Sequence, residues 1–317
     1  MEIVDLRQVV SADLRPLVEE EVETWQSTLH WDYRPLAEML LRYTDSHILP
    51  GVAATEGGRV CGYCFFFTEG TKGGIGDLYV EGMASTHNRR HDIEIELLRH
   101  AILRLRRSPE LRRVEAQLLI HPTDRLATPF LEGGYRRYRR VFLRLKLEET
   151  NSGFLRHLAP EVEVRRWSEA DYRSAADAIT AAYKGHVECC VGDQFRTIEG
   201  TLGFMNNIVR FPTCGVFDSG ASFIACQRDT QAPIAVLLCS RLRQDVGHIT
   251  QVCTLPEFRG FGIGEHLVRH CHNDLFARGF TELSLTVTEE NHRALAFYRR
   301  LGFSQLHTFD AFVWETE

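Results

Sequence analysis

The stretch from Gln251 to Gly264, QVCTLPEFRGFGIG, is where residue types and spacing in this chain point most directly to chemistry. An apolar, β-branched run leads into Arg259, Gly260, Phe261, Gly262, Ile263 and Gly264, and an amphipathic run follows to Arg278. Glycines let a backbone approach a ligand closely, and the N–H groups left over at a helix start converge on an anion. The positive end of the helix dipole adds to that pull. The pattern predicts a cradle for a pyrophosphate-like anion. A dinucleotide-binding fingerprint is the rival reading, but it needs GxGxxG order and an early acidic residue after a second strand. Here the glycines follow several strands and an arginine. A turn that uses glycine for geometry alone is the remaining reading.

Two other patterns carry less. Cys61 and Cys64 have CxxC spacing, yet they sit in a strand-like run and no second pair exists to complete a metal or redox site. Core packing is the better reading for them. The basic cluster of Arg136, Arg137, Arg139 and Arg140 lies in a chain of formal charge −6. A solvated strand face or a domain contact is therefore expected there rather than a nucleic-acid patch.

The elements that must hold the glycine turn come next. At 317 residues, with 44% hydrophobic and 25% charged residues, the chain has globular composition and length for two domains. An acidic balance predicts no nucleic-acid partner, so an anionic ligand must be held by local geometry. The longest apolar runs, Cys64 to Phe67 and Ile234 to Cys239, have strand length, and no membrane association is expected. The opening residues lack a signal-peptide pattern, and nine scattered cysteines, an odd number, suit a reducing compartment; a cytoplasmic location is expected.

An internal repeat sets the architecture. Leu97 to His100 (LLRH) resembles Leu267 to His270 (LVRH), and at the same offset Arg89 falls on Arg259 and the strand near Leu78 on that near His248. Gly133 to Tyr135 resembles Leu301 to Phe303. Each copy opens with a short strand, a capping signal (Ser11 to Asp13; Ser168 to Asp171) and an amphipathic helix, through Val22 and Tyr183 respectively. The polar segment from Glu149 to Pro160 is the expected linker. In the second copy, strands are expected at 222–228, 234–242, 248–255 and 282–288. Helices are expected at 262–278 and 290–301, with two closing strands running to Val313. The expected fold is two α+β domains of one kind.

At these residues the chain resembles the Gcn5-related N-acetyltransferases, the GNAT superfamily. Arg259, Gly262 and Gly264 fit that family's Q/R-x-x-G-x-G/A signature, and Asn291, Ala294, Tyr298, Gly302 and Phe303 resemble its second motif. The resemblance covers Glu161 to Glu317 well and the first half as a degraded copy. It implies two tandem GNAT-like domains, each a mixed, mostly antiparallel sheet with helices on both faces. Residues 1–150 would be structural, and residues 161–317 would bind acetyl-CoA and catalyse. The implied reaction is direct transfer of an acetyl group to an amine of a small molecule, in a monomer or homodimer, with no metal. A sensing module without turnover and a protein or peptide N-acetyltransferase are the alternatives.

Such a transfer needs an oriented donor, a deprotonated nucleophile, oxyanion stabilisation and a proton for the departing thiolate. By resemblance the strand backbone at Val252, Cys253 and Thr254 binds pantetheine beside the thioester, and Arg259 to Gly264 hold the pyrophosphate. Direct attack is the family's usual route, with Cys253 as a covalent nucleophile the alternative. Tyr298 falls at the position of a general acid, and the other reading is an aromatic packed beneath Phe297 and Phe303. Asn291 would hold pantetheine or the thiol, or else cap a helix. His248 matches the position of a base, or else is a strand-entry histidine facing solvent. Glu188 and Asp193 are candidates to line the acceptor site. The first copy departs at the signature: Asp92 and Glu94 replace the glycines and Phe130 stands near the Tyr298 position. Carboxylates at a helix start repel a pyrophosphate.

Overall fold

A computed structural model of the chain describes residues 1–82, 87–148, 158–211 and 214–316. It divides into two compact units, residues 1–140 with 307–317, and residues 141–306. Most of the expected linker, residues 149–157, lies outside the described residues.

Unit 1 begins with β1 (Glu2–Asp5), α1 (Ser11–Leu29), α2 (Arg34–Asp45), β2 (Gly51–Glu56), β3 (Arg59–Glu69) and β4 (Lys72–Val80). It continues through α3 (His87–Arg106), β5 (Arg113–Gln117), α4 (Ala127–Glu132) and the first half of β6 (Arg136–Lys146). Unit 2 takes the second half of β6, then β7 (Val162–Arg166), α5 (Tyr172–Tyr183), α6 (Glu188–Val191), α7 (Ile198–Arg210), β8 (Val216–Phe217) and β9 (Phe223–Gln227). It closes with β10 (Pro233–Arg243), β11 (Val246–Thr254), α8 (Ile263–Ala277), β12 (Glu282–Thr288) and α9 (His292–Arg300). The last strand, β13 (Ser304–Glu315), belongs to unit 1 from His307 onward.

Each unit has a mixed, mostly antiparallel sheet. In unit 1 the order is β1-β2-β3-β4-β5-β13, with β4 and β5 parallel and β13 antiparallel to β5. In unit 2 the order is β6-β12-β11-β10-β9-β7, with β11 and β12 parallel and β8 beside β10. Side chains alternate faces along a strand. Accordingly Ala235, Leu237 and Cys239 of β10 join one core with α8 residues, while Val236 and Leu238 join another with α5 residues. Helices therefore cover both faces, and the unbroken apolar run at 234–239 is explained by burial on both sides.

Several expectations need correction. One uninterrupted strand, β13, replaces the two closing strands, because SQLHTFDAFVWE contains no glycine or proline to turn the chain. Ser11 does not cap α1: Val10 stands at the cap, and the Ser11 hydroxyl donates to Asp45 at 2.8 Å. Ser168 and Asp171 do form a capping box. The strand repeat is also shifted. In β4 a register break leaves Gly76 between the residues paired with Phe65 and Phe66, and in β11 one leaves Thr250 between those paired with Leu238 and Cys239. Matching the breaks makes Asp77 the counterpart of Gln251 and Leu78 that of Val252, four residues from the helix-based alignment. The chain between β4 and Arg89 is longer by that amount than the chain between β11 and Arg259. Cys61 and Cys64 are buried free thiols within β3. In the basic cluster, Arg137 and Arg139 pair with Asp124.

Candidate active site

Strands β11 and β12 pair in parallel only from Val246 opposite Glu282 to Ile249 opposite Leu285. Beyond that point β11 continues to Thr254 and β12 to Thr288 with no pairing between them. Cys253 keeps its partner on the other edge, Val236 of β10. Neighbouring residues of a strand point their N–H and C=O groups to opposite edges, so Val252 presents its pair into the splay. A partly buried backbone edge of this kind seeks a partner, and an extended amide-bearing chain supplies one.

The splay leads into the glycine turn. Gly260 and Gly262 have φ of 93° and 84°, a left-handed conformation that L side chains enter at a cost, and an added Cβ there would meet nothing within 4 Å. The first intrahelical bond of α8 runs from His266 N–H to the Gly262 carbonyl, at 3.1 Å. The amides of Ile263, Gly264 and Glu265 thus have no intrahelical partner. Gly264 is ordinary helix, its nearest neighbour for a Cβ being Thr254 Oγ1 at 3.5 Å. Arg259 is turned inward. Its Nε donates to the Thr254 carbonyl at 3.0 Å and its Nη2 to the Ala182 carbonyl at 2.6 Å, tying the end of α5 to the strand exit. Phe261 stands between the two left-handed glycines and is 68% exposed. A diphosphate fits this surface through main-chain amides rather than through the arginine.

On the α5 side of β11 a polar cluster surrounds the end of the splay. Glu188 Oε1 accepts from Thr288 N at 3.1 Å and from Thr288 Oγ1 at 2.7 Å. Asn291 caps α9, its Oδ1 accepting from Ala294 N at 3.2 Å, while its Nδ2 lies 3.4 Å from His186 Nε2. His186 Nδ1 lies 3.3 Å from the Glu188 amide, and the ring packs edge-on to Tyr183. A neutral imidazole accepts at one nitrogen only, so these two contacts alternate with the tautomer. Burial holds His186 below its ordinary value and therefore neutral at pH 7. Sequence reasoning passed over this histidine, since nothing in its local pattern marks it.

Tyr298 packs edge-on to Phe297 and Phe303 and belongs to the core, as one reading expected. Burial, followed by the charge of Glu188 and then by Cys253, holds the phenol well above its usual value. It stays protonated at any working pH. Burial pushes the Cys253 thiol up to about 12, which removes the thiolate a covalent route requires. His248 does not face solvent. It is buried, stacked on Phe142, its Nδ1 2.9 Å from Ser284 Oγ, and burial pushes it down to about 4. Asp193 opens a short 3-10 turn, Asp193–Arg196, after α6.

Residues 199–303 match the family model described as Acetyltransferase (GNAT) family. This region is similar to the GNAT acetyltransferases. An uncharacterized N-acetyltransferase of Methanocaldococcus jannaschii is 32% identical over 95 residues, 30% of this chain and 39% of that protein. N-alpha-acetyltransferase 30 of Schizosaccharomyces pombe is 33% identical over 89 residues, 26% of this chain and 56% of that protein. The chain thus spans less than two thirds of these relatives. Whole-chain likeness is structural. A GCN5-related N-acetyltransferase from Sphaerobacter thermophilus superposes with TM-score 0.67 at 19% identity, covering 99% of this chain and 95% of that one. A tandem GNAT protein from the clavulanic acid biosynthesis pathway gives TM-score 0.55 at 14% identity, covering 99% and 98%. The fold is a tandem GNAT fold.

Unit 1 has the same splay but closes it. Parallel pairing of β4 with β5 stops at Ile75 opposite Ala116. Leu78, the counterpart of Val252, then donates its N–H to Asp77 Oδ1 at 2.8 Å, and its carbonyl lies 2.9 Å from His121 Nε2. Asp92 and Glu94 are not at a helix start, as the alignment suggested: α3 begins at His87 and runs through them. Glu94 is wholly buried and pairs with Arg125 at 2.8 Å and Arg90 at 3.2 Å. Phe130, near the Tyr298 position, is buried and stacked on Phe312. No helix of the described residues is long and apolar enough to cross a membrane, and they contain no cluster that could hold a metal.

Proposed function

We propose that unit 2 binds acetyl-CoA along the open edge of β11 and the glycine turn, and transfers its acetyl group to an amine of a small molecule. The observation that carries this reading is the unpaired edge at Val252 leading directly into amides that have no helical partner. Acetyl-CoA supplies the activated thioester; the chain supplies position and protons.

Val252 N–H and C=O extend the sheet onto the pantetheine amides, and the turn amides take the diphosphate. His186 Nε2 or Nδ1, neutral at pH 7, accepts the proton that the amine must lose. It does so more readily than His248, whose value near 4 makes it the weaker base. Tyr298 Oη holds a proton for the departing sulfur. Asn291 fixes His186 while capping α9, and no group here carries a covalent acetyl. Unit 1, whose splay is filled by its own residues, binds no acyl-CoA.

Calorimetry with acetyl-CoA, followed by thiol release across a panel of amines, tests this. One site per chain and amine-dependent release are expected. Absence of binding would remove the reading, and two sites of similar affinity would remove the assignment to unit 2.

A further inference from the structure

Gln251 is 4% exposed, and only half of its side-chain amide is used. Tyr183 donates its hydroxyl to Gln251 Oε1 at 3.0 Å, while the amide nitrogen Nε2 has no hydrogen-bond partner among the described residues. Leaving a buried donor unmade costs on the order of 1–3 kcal/mol, so such a group calls for a specific explanation. Its place supplies one. Gln251 follows the register break in β11, lies one residue before Val252, and faces α5, from whose end Tyr183 links it to His186 and Asn291.

Unit 1 shows what the same position looks like when it is complete. Asp77, the counterpart of Gln251, also receives a tyrosine hydroxyl, from Tyr33 at 2.6 Å. It further meets the buried carboxyl of Glu21, to which it is hydrogen-bonded. Glu21 is held in turn by Trp25 Nε1 at 3.1 Å and by Tyr63. A tyrosine on one side and a carboxyl on the other thus satisfy the unit 1 residue. In unit 2 the tyrosine is present and the carboxyl is missing.

We propose that the acceptor supplies it: the Gln251 Nε2 amide binds a carboxylate or carbonyl oxygen carried beside the amine that is acetylated. This rests on the acetyl-transfer reading of the same site. The substrate class becomes an α-amino acid or its carbonyl derivative rather than a bare alkyl amine. Nε2 donates to the oxygen, Tyr183 keeps the amide in that orientation, and the amine is left beside the end of the splay. Gln251 is a specificity residue, and Tyr183 is a positioning residue that acts through it.

The experiment uses the full chain, acetyl-CoA, and three matched amines: alanine, alaninamide and ethylamine. Each is measured with wild type, Gln251→Glu and Gln251→Met. The ratio of wild type to variant, taken amine by amine, cancels the amines' own basicity. We expect kcat/KM for alanine to fall ~10–100-fold in Gln251→Glu, mostly through KM, with a smaller fall for alaninamide and the least for ethylamine. Gln251→Met should lower alanine and alaninamide together. A parallel fall for all three amines would assign Gln251 to packing and overturn the proposal. Retained or improved alanine transfer by Gln251→Glu would mean that the amide accepts from the amine instead, and would also overturn it. Transfer that favours ethylamine in wild type defeats this proposal alone, whereas release from no amine defeats the acetyltransferase reading with it.

Discussion

Leu78 and Val252 occupy one position in two copies of one fold, and they differ in who claims their backbone. Both follow a register break in the strand that splays from its parallel neighbour. In unit 1 the N–H and C=O are claimed by Asp77 and His121, from the same chain. In unit 2 that edge has no strand partner. The helix starts diverge in the same sense. In unit 1 the aligned positions Asp92 and Glu94 lie inside α3, where amides are intrahelical donors, whereas in unit 2 the left-handed Gly262 caps α8 and the next amides have no intrahelical partner. A fold can thus be kept while its binding surface is dismantled, provided each abandoned backbone group finds a partner inside.

The strongest way to break this contrast is to give unit 2 the residue that unit 1 carries. Gly264→Glu places a carboxylate where Glu94 stands in the helix-based alignment, and Gly264 has ordinary φ and room for a Cβ. A carboxylate ~5 Å from one diphosphate charge costs about 3 kcal/mol at an effective dielectric near 20. Acetyl-CoA affinity should fall by more than ~100-fold by calorimetry, with Gly264→Gln losing less and both variants folded by circular dichroism. Equal losses in the two variants would make bulk, not charge, the reason.

Next in size is Tyr298→Phe, expected to lower turnover ~100-fold while acetyl-CoA affinity stays within a few-fold. The ring remains packed against Phe297 and Phe303, so stability should hold. Unchanged turnover, with chemistry rate-limiting, would leave Tyr298 as core alone, like Phe130 of unit 1.

A third test uses Asp77 against Gln251. Burial, and for Glu21 also the neighbouring Asp77, raises both carboxyls above the ordinary range, and their mutual hydrogen bond requires a proton between them. Above the unfolded value, about 4, the folded state then holds a proton that the unfolded state has released. Unit 1 should therefore lose stability as pH rises toward the raised folded value, by up to about 1.4 kcal/mol per pH unit for one proton. Denaturant unfolding at pH 5 and pH 8 should show this in wild type and less of it in Glu21→Gln. An identical slope in the two proteins would refute the shared proton.

The smallest expected effect is the reverse exchange. Glu94→Gly should create no acetyl-CoA site in unit 1, because α3 still runs through the position and the Leu78 edge stays closed. Calorimetry should still count one site per chain, and a second site would show that Glu94 alone was the obstacle.

The sequence made the turn legible because left-handed backbone selects glycine, so Gly260 and Gly262 are marked by chemistry as well as by spacing. The α+β repeat was legible for a similar reason, since alternation and 3.6-residue periodicity are local signals. His186 was not legible: it lies after α5 with no pattern, and its role comes from Asn291, 105 residues later. The link between Tyr183 and Gln251 is equally non-local. Inward-turned Arg259 fits the signature, but its partners are carbonyls that no residue type reveals. The four-residue shift between strand and helix repeats was hidden because loop length does not register in either periodicity.

The assignment of His307 onward to unit 1 has a consequence for how the chain is made. During synthesis residues 141–306 emerge as a whole unit before β13 does, while residues 1–140 wait without the strand that pairs with β5. The segment made first is thus completed last. Joining Ala311 to Gln117 closes a very long chain loop, whose entropic cost grows only slowly with length but whose search is slow. Until then one edge of β5 is bare, and an unpaired edge is where chains associate with one another. Nascent protein halted anywhere before His307 accordingly keeps that edge without its strand.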